Sequence, residues 1–129
     1  MGMLRRDMSD LKRKILYSKM VSGLISFLFA HADKLVPVNR LRETQSWLAF
    51  THPNPAYPVH ILIVPKRKIT NWMELPQNDP VLYAEFVALT QGMIKDFCLE
   101  AAGYRLIVNG GIHQDFPHLH IHLVAGDAI

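Results

Sequence analysis

The chain has 129 residues, half of them apolar and 19% charged, with one cysteine and a formal net charge of +3. That is a single domain with enough apolar surface to bury a core, which excludes a disordered or fibrous chain. A lone Cys98 excludes an intramolecular disulfide framework and any Cys-based zinc finger, so a cytoplasmic setting is expected.

The positive charge is concentrated at the start. Residues 1–20 hold six basic and two acidic side chains, and the rest of the chain is close to neutral. This reads as a basic arm with a solvated surface, and no nucleic-acid partner is expected. A helix is expected from Ser9, a good N-cap, to about His31, with Tyr17, Val21, Leu24 and Leu28 on one face. The apolar stretch Met20–Ala30 has the flavour of a secretory signal, but it fits a packed helix better. It is also too short to span a bilayer, so no membrane partner is expected. Residues 1–35 form this arm and helix, and 36–129 the main domain.

Strands are expected over Val38–Arg42 and Ser46–Phe50, around a turn at Glu43-Thr44-Gln45. Three prolines between Thr51 and Pro58 dictate a loop. Val59–Val64 is a β-branched apolar run, expected to be a strand buried on both faces. Lys66-Arg67-Lys68 then reads as a solvated surface loop. Asp79-Pro80 starts a helix, and Leu82, Phe86, Leu89, Met93, Ile94 and Phe97 give it a core-facing stripe. Gly103 is expected to end this helix as a left-handed cap, and Cys98 to be a buried, inert thiol. Tyr104–Val108 is a strand, Asn109–Pro117 a loop, and His118–Val124 a final strand. Two helices and about five short-linked strands predict an α+β fold with an antiparallel sheet.

The chemistry is concentrated in His118-Leu119-His120-Ile121-His122. Alternate side chains of a strand point to opposite faces, so the three histidines share one face and the apolar residues the other. Leu119, Ile121 and Leu123 face the core; the histidines look toward solvent, a cleft or a ligand. Two uses compete. Three rings from one strand span about 13 Å and cannot easily share a tetrahedral metal, so a metal site would combine His118 and His120 with His60, or draw on His52 or Asp115. Alternatively, imidazoles supply a nucleophile, its orientation and protons for attack on phosphorus, and the spacing favours this use. Asn109-Gly110-Gly111 and Gln114 just upstream look like the rim of a phosphate pocket.

On these residues the chain resembles the histidine-triad (HIT) superfamily, in its Hint-like branch. Besides the histidine run, Val36-Pro37, Leu48-Ala49-Phe50, Asn54-Pro55, Pro58-Val59-His60, Val64-Pro65-Lys66, Ile69, Tyr104-Arg105-Leu106 and Asn109 fall in that family's order. The resemblance implies a HIT-like α+β protomer that pairs into a homodimer with a continuous sheet. It also implies hydrolysis or transfer of nucleotidyl groups from phosphoramidates or related nucleotides, with no cofactor and no metal. Carried onto this chain, His120 is the nucleophile that forms a phosphohistidine, His122 contacts the phosphoryl oxygens, and His118 and His60 set the tautomers. Asn109, Gly111 and Gln114 line the phosphate side. The chain departs from the pattern at His52, where an acidic residue usually holds the ribose, and at Asp115, often a serine that donates to phosphate. Between Asn109 and Gln114 the loop is also about two residues shorter, and the longer C-terminal segment of the Hint-like pattern is missing after Ile129. With these departures the alternative reading is a HIT-fold protein that binds a nucleotide or small ligand without efficient turnover, ahead of a histidine-based metal-binding protein.

Overall fold

The architecture was read from a computed structural model that describes Lys12 and residues 40–129. The helix expected over Ser9–His31 therefore lies, apart from Lys12, outside the described residues. Five strands follow: β1 (Arg40–Glu43), β2 (Trp47–Thr51), β3 (Val59–Pro65), β4 (Arg105–Val108) and β5 (Ile121–Ala125). They form one sheet in the order β1-β2-β3-β5-β4, with every pair antiparallel. The expected α+β class and strand count hold. The turn before β2 is set by Thr44, whose hydroxyl accepts from the amides of Ser46 and Trp47.

The period of two is written in the packing. Trp47 and Ala49 of β2, Ile61 and Ile63 of β3, and Ile121, Leu123 and Ala125 of β5 share one buried cluster with Leu82, Leu89, Met93 and Ile94. Those last four lie on helix α1 (Pro80–Asp96), which covers this face of the sheet. Asp79 caps it, its carboxylate accepting from the Leu82 amide, with Pro80 at the first helical position. The Trp47 indole N–H donates 2.8 Å to the Leu82 carbonyl, so the largest core side chain has its polar atom satisfied. Leu48, Phe50, Leu62 and Val64 point to the other face and cluster with Phe116. β3 is thus dry on both faces, as its apolar run implied.

Five local expectations are corrected. The second helix breaks at Cys98, which sits in left-handed backbone at φ 56°, before a short helix α2 (Leu99–Ala102). Cys98 is consequently exposed and not a buried thiol. Phe97, placed by periodicity in the core stripe, is exposed for the same reason: the chain leaves the helical path there and carries the ring off the face. Gly103 does end α2 with positive φ, but its ψ of 148° is extended and not that of a left-handed cap. Finally, β5 begins at Ile121, not His118, because the pairing with β3 ends at Ile63↔Ile121. The basic loop fits its solvated reading, with Lys66 paired to Glu43 and Arg67 to Asp79.

Candidate active site

Five imidazoles meet on the face of the sheet opposite α1. His60 comes from β3 and His122 from β5; His118 and His120 lie on the extended approach to β5, and His52 just after β2. All five are buried, with His120 only 2% exposed. Of the three surroundings weighed for this face, solvent, a cleft or a ligand, burial excludes open solvent. Burial is tolerated because main-chain groups bond one nitrogen on each of four rings and a fifth ring, His122, is bonded by His60.

Those partners fix the tautomers. The Asn54 amide donates 2.9 Å to His52 Nδ1, and the Ala56 amide donates 3.0 Å to His60 Nδ1. A backbone N–H can only donate, so both Nδ1 atoms are acceptors and, in the neutral rings, the protons sit on Nε2. His60 Nε2–H then donates 2.8 Å to His122 Nδ1, which leaves the His122 proton on Nε2. His120 has the opposite form: its Nδ1–H donates 2.8 Å to the His118 carbonyl, so Nε2 carries the lone pair. His118 Nε2–H in turn donates 3.0 Å to the Pro65 carbonyl. Among the described residues, two buried ring atoms have no hydrogen-bond partner, His120 Nε2 and His122 Nε2. One is a lone pair and the other an N–H, on rings whose centroids are 5.2 Å apart.

The rings are neutral because charging them in this dry cluster is expensive. Burial, then the neighbouring charges of His60, His122 and His120, pushes His52 down to about 3. Burial alone takes His60 down to about 4, and burial with His120 and His60 takes His122 to about 3. His118 is also lowered by burial, against a rise from its bond to the Pro65 carbonyl. In His120 the lowering by burial is opposed by its bond to the His118 carbonyl and by the Asp115 carboxylate.

The structure gathers a different histidine trio from the one considered for a metal. Nitrogens of His52, His60 and His122 all lie within 4.8 Å of one another. Yet the single lone pair of each neutral ring is already taken, by the amides of Asn54 and Ala56 and by His60 Nε2–H. Binding a metal through the remaining nitrogens would require stripping the rings to imidazolates. The protonation pattern therefore offers donors suited to an anion.

The remaining sequence-selected residues form the approach. Asn109 is half-buried at the end of β4, and Gly111, at φ 58°, opens a 3-10 turn over Gly111–His113. Gln114 does not turn its amide nitrogen to the histidines: it donates to the carbonyls of Thr70 and Phe116 and so staples the loop. Asp115 is exposed and acts on His120 through its charge. Two features were missed from sequence. One is Phe116, whose ring stacks on His120 at 4.0 Å and 14°. The other is the pair of amides at Asn54 and Ala56, for which the alternating prolines of the loop were the available signal.

The fold has counterparts among known proteins. A HIT-like protein of Chlamydia pneumoniae is 34% identical over 96 residues, 73% of this chain and 86% of that protein. A histidine triad protein from Clostridium difficile superposes with a TM-score of 0.69 at 28% identity, covering 83% of this chain and 93% of the other. A HIT family hydrolase from Legionella pneumophila gives 0.68 at 28% identity, covering 78% and 89%. The HIT domain family model matches residues 34–129, and the chain belongs to that family.

Proposed function

We propose that the protein is a hydrolase or transferase of nucleotidyl groups, acting on a nucleoside phosphoramidate or related nucleotide through a phosphohistidine at His120. The observation that carries this is the pair of unpartnered buried nitrogens, a lone pair on His120 Nε2 and an N–H on His122 Nε2. A phosphate group satisfies both together: phosphorus is the electrophile for one, and a phosphoryl oxygen the acceptor for the other. The solved HIT family hydrolase with the same fold supports the reaction class.

In the first step the His120 lone pair forms the N–P bond. The bond from phosphorus to the leaving nitrogen breaks, and that nitrogen keeps the electron pair and takes a proton from solvent. The His118 carbonyl, already bonded to Nδ1–H, stabilises the cationic ring. Water then displaces Nε2 and returns a proton to solvent. His60 acts by holding His122 in its donor form. His52, Asn109, Gly111, Gln114 and Asp115 line or support the substrate side. No metal or other cofactor enters these steps. The protomers pair through β4, whose outer edge bears no strand among the described residues and whose Leu106 is 44% exposed beside exposed Tyr104 and Val108. The protein acts in the cytoplasm.

The test is turnover of an adenosine phosphoramidate with acid-quench trapping of the intermediate. We expect a labile phosphohistidine, activity that survives a chelator, and a loss of about three orders of magnitude or more in a folded His120→Ala variant. Equal rates in wild type and His120→Ala would refute the catalytic role. Tight binding with no intermediate would make the protein a binding module, and loss of activity with chelator would restore the metal reading.

A further inference from the structure

We propose that Phe116 is a positioning residue for His120, one that holds the imidazole plane and stabilises the positive charge the ring acquires when Nε2 bonds to phosphorus. The inference rests on the phosphohistidine reading above and adds to it a residue outside the histidine row.

The stack is close and nearly parallel, with centroids 4.0 Å apart and planes 14° apart. It is also anchored. The Phe116 ring belongs to the second buried cluster, with Leu48, Phe50, Leu62 and Val64, so it cannot swing away without opening that cluster. Its carbonyl accepts from the His118 amide at 2.9 Å and from Gln114 Nε2 at 3.0 Å, which fixes the backbone on both sides. The His120 ring is thus held by one face and by its Nδ1–H bond to the His118 carbonyl.

The electrostatic part follows from the reaction. The neutral imidazole gains only dispersion from a phenyl face. Once Nε2 donates its pair to phosphorus and the leaving group departs with the other pair, the ring keeps its Nδ1 proton and is cationic. Water cannot solvate this charge on a ring 2% exposed. What acts on it is the His118 carbonyl, the negative π face of Phe116 and, through its charge, the exposed Asp115 carboxylate. Because the attraction to the π face exists only once charge develops, it lowers the barrier rather than tightening ground-state binding.

The experiment replaces Phe116 by a series of progressively fluorinated phenylalanines. These keep the shape of the ring while draining its π face. The readouts are the single-turnover rate of phosphohistidine formation and the KM. We expect the rate to fall stepwise with fluorination, by about 2- to 30-fold across the series, with little change in KM. Phe116→Leu should lose a comparable factor and Phe116→Tyr should restore it. A flat fluorinated series, with phosphohistidine forming in every member, overturns the proposal while leaving the proposed function intact. Absence of phosphohistidine in the wild-type protein overturns the function reading itself. Neither result depends on Phe116→Leu folding, since the fluorinated rings preserve the packing.

Discussion

The two faces of the sheet are equally dry and are held by different physics. On the α1 side, β2, β3 and β5 bury Trp47, Ile61, Ile63, Ile121 and Leu123 against Leu82, Leu89 and Met93, and stability there grows with apolar area. On the other side these strands and the segments flanking them bury five imidazoles beside Leu48, Phe50, Leu62 and Val64, and the imidazoles add a dependence on each ring nitrogen finding a partner. The apolar face tolerates imprecision and performs no chemistry. The histidine face leaves two nitrogens unpaired, and that deficit is what a substrate can fill.

The largest expected difference between the faces is their response to acid. The rings of His52, His60 and His122 are neutral when folded, at about 3, about 4 and about 3, against 6.5 as the ordinary value. As pH falls below about 6.5 the unfolded chain binds these protons first, so stability is full above that pH and declines toward 4. The melting temperature should therefore drop steeply between about pH 6 and 4; a flat profile in thermal scans would mean that the rings are not held neutral. Next in size, Leu123→Ala on the apolar face should cost about 2–5 kcal/mol in urea unfolding, while the folded fraction keeps its activity.

His120→Leu is the sharper comparison. It removes the unpaired Nε2 together with the Nδ1–H bond to the His118 carbonyl, two effects of opposite sign, so stability should stay within about 1 kcal/mol of wild type while turnover disappears. A loss as large as that of Leu123→Ala would show that the histidine face is stabilising in its own right. The smallest effect is expected at Asp115→Ser. Removing the carboxylate should tighten nucleoside monophosphate binding severalfold by calorimetry and lower the His120 pKa, which Asp115 raises. Unchanged affinity would place the carboxylate away from the phosphate.

What was legible from sequence was whatever repeats. The alternation from His118 to Leu123 and the apolar run of β3 gave the buried layers, because a period of two assigns faces without knowledge of neighbours. What was not legible depended on register or on a single backbone angle. The His60–His122 bond exists because β3 and β5 pair with Leu62 opposite His122, which sets His60 diagonally beside it. The helical spacing ran on through Phe97, and nothing in the residue types there announced the left-handed turn at Cys98. Phe116 lies in a loop with no period, so its place over His120 is set by tertiary packing alone.

The loop between β2 and β3 also sets a rule for mutational drift. With prolines at 53, 55 and 58, its main-chain N–H groups are reduced to those of His52, Asn54, Ala56 and Tyr57, and two of the four orient the rings of His52 and His60. The instruction that assigns protons to the cluster is therefore carried by atoms every residue but proline possesses. Positions 54 and 56 can change side chain freely in descendants of this sequence, and the one substitution barred at each is proline.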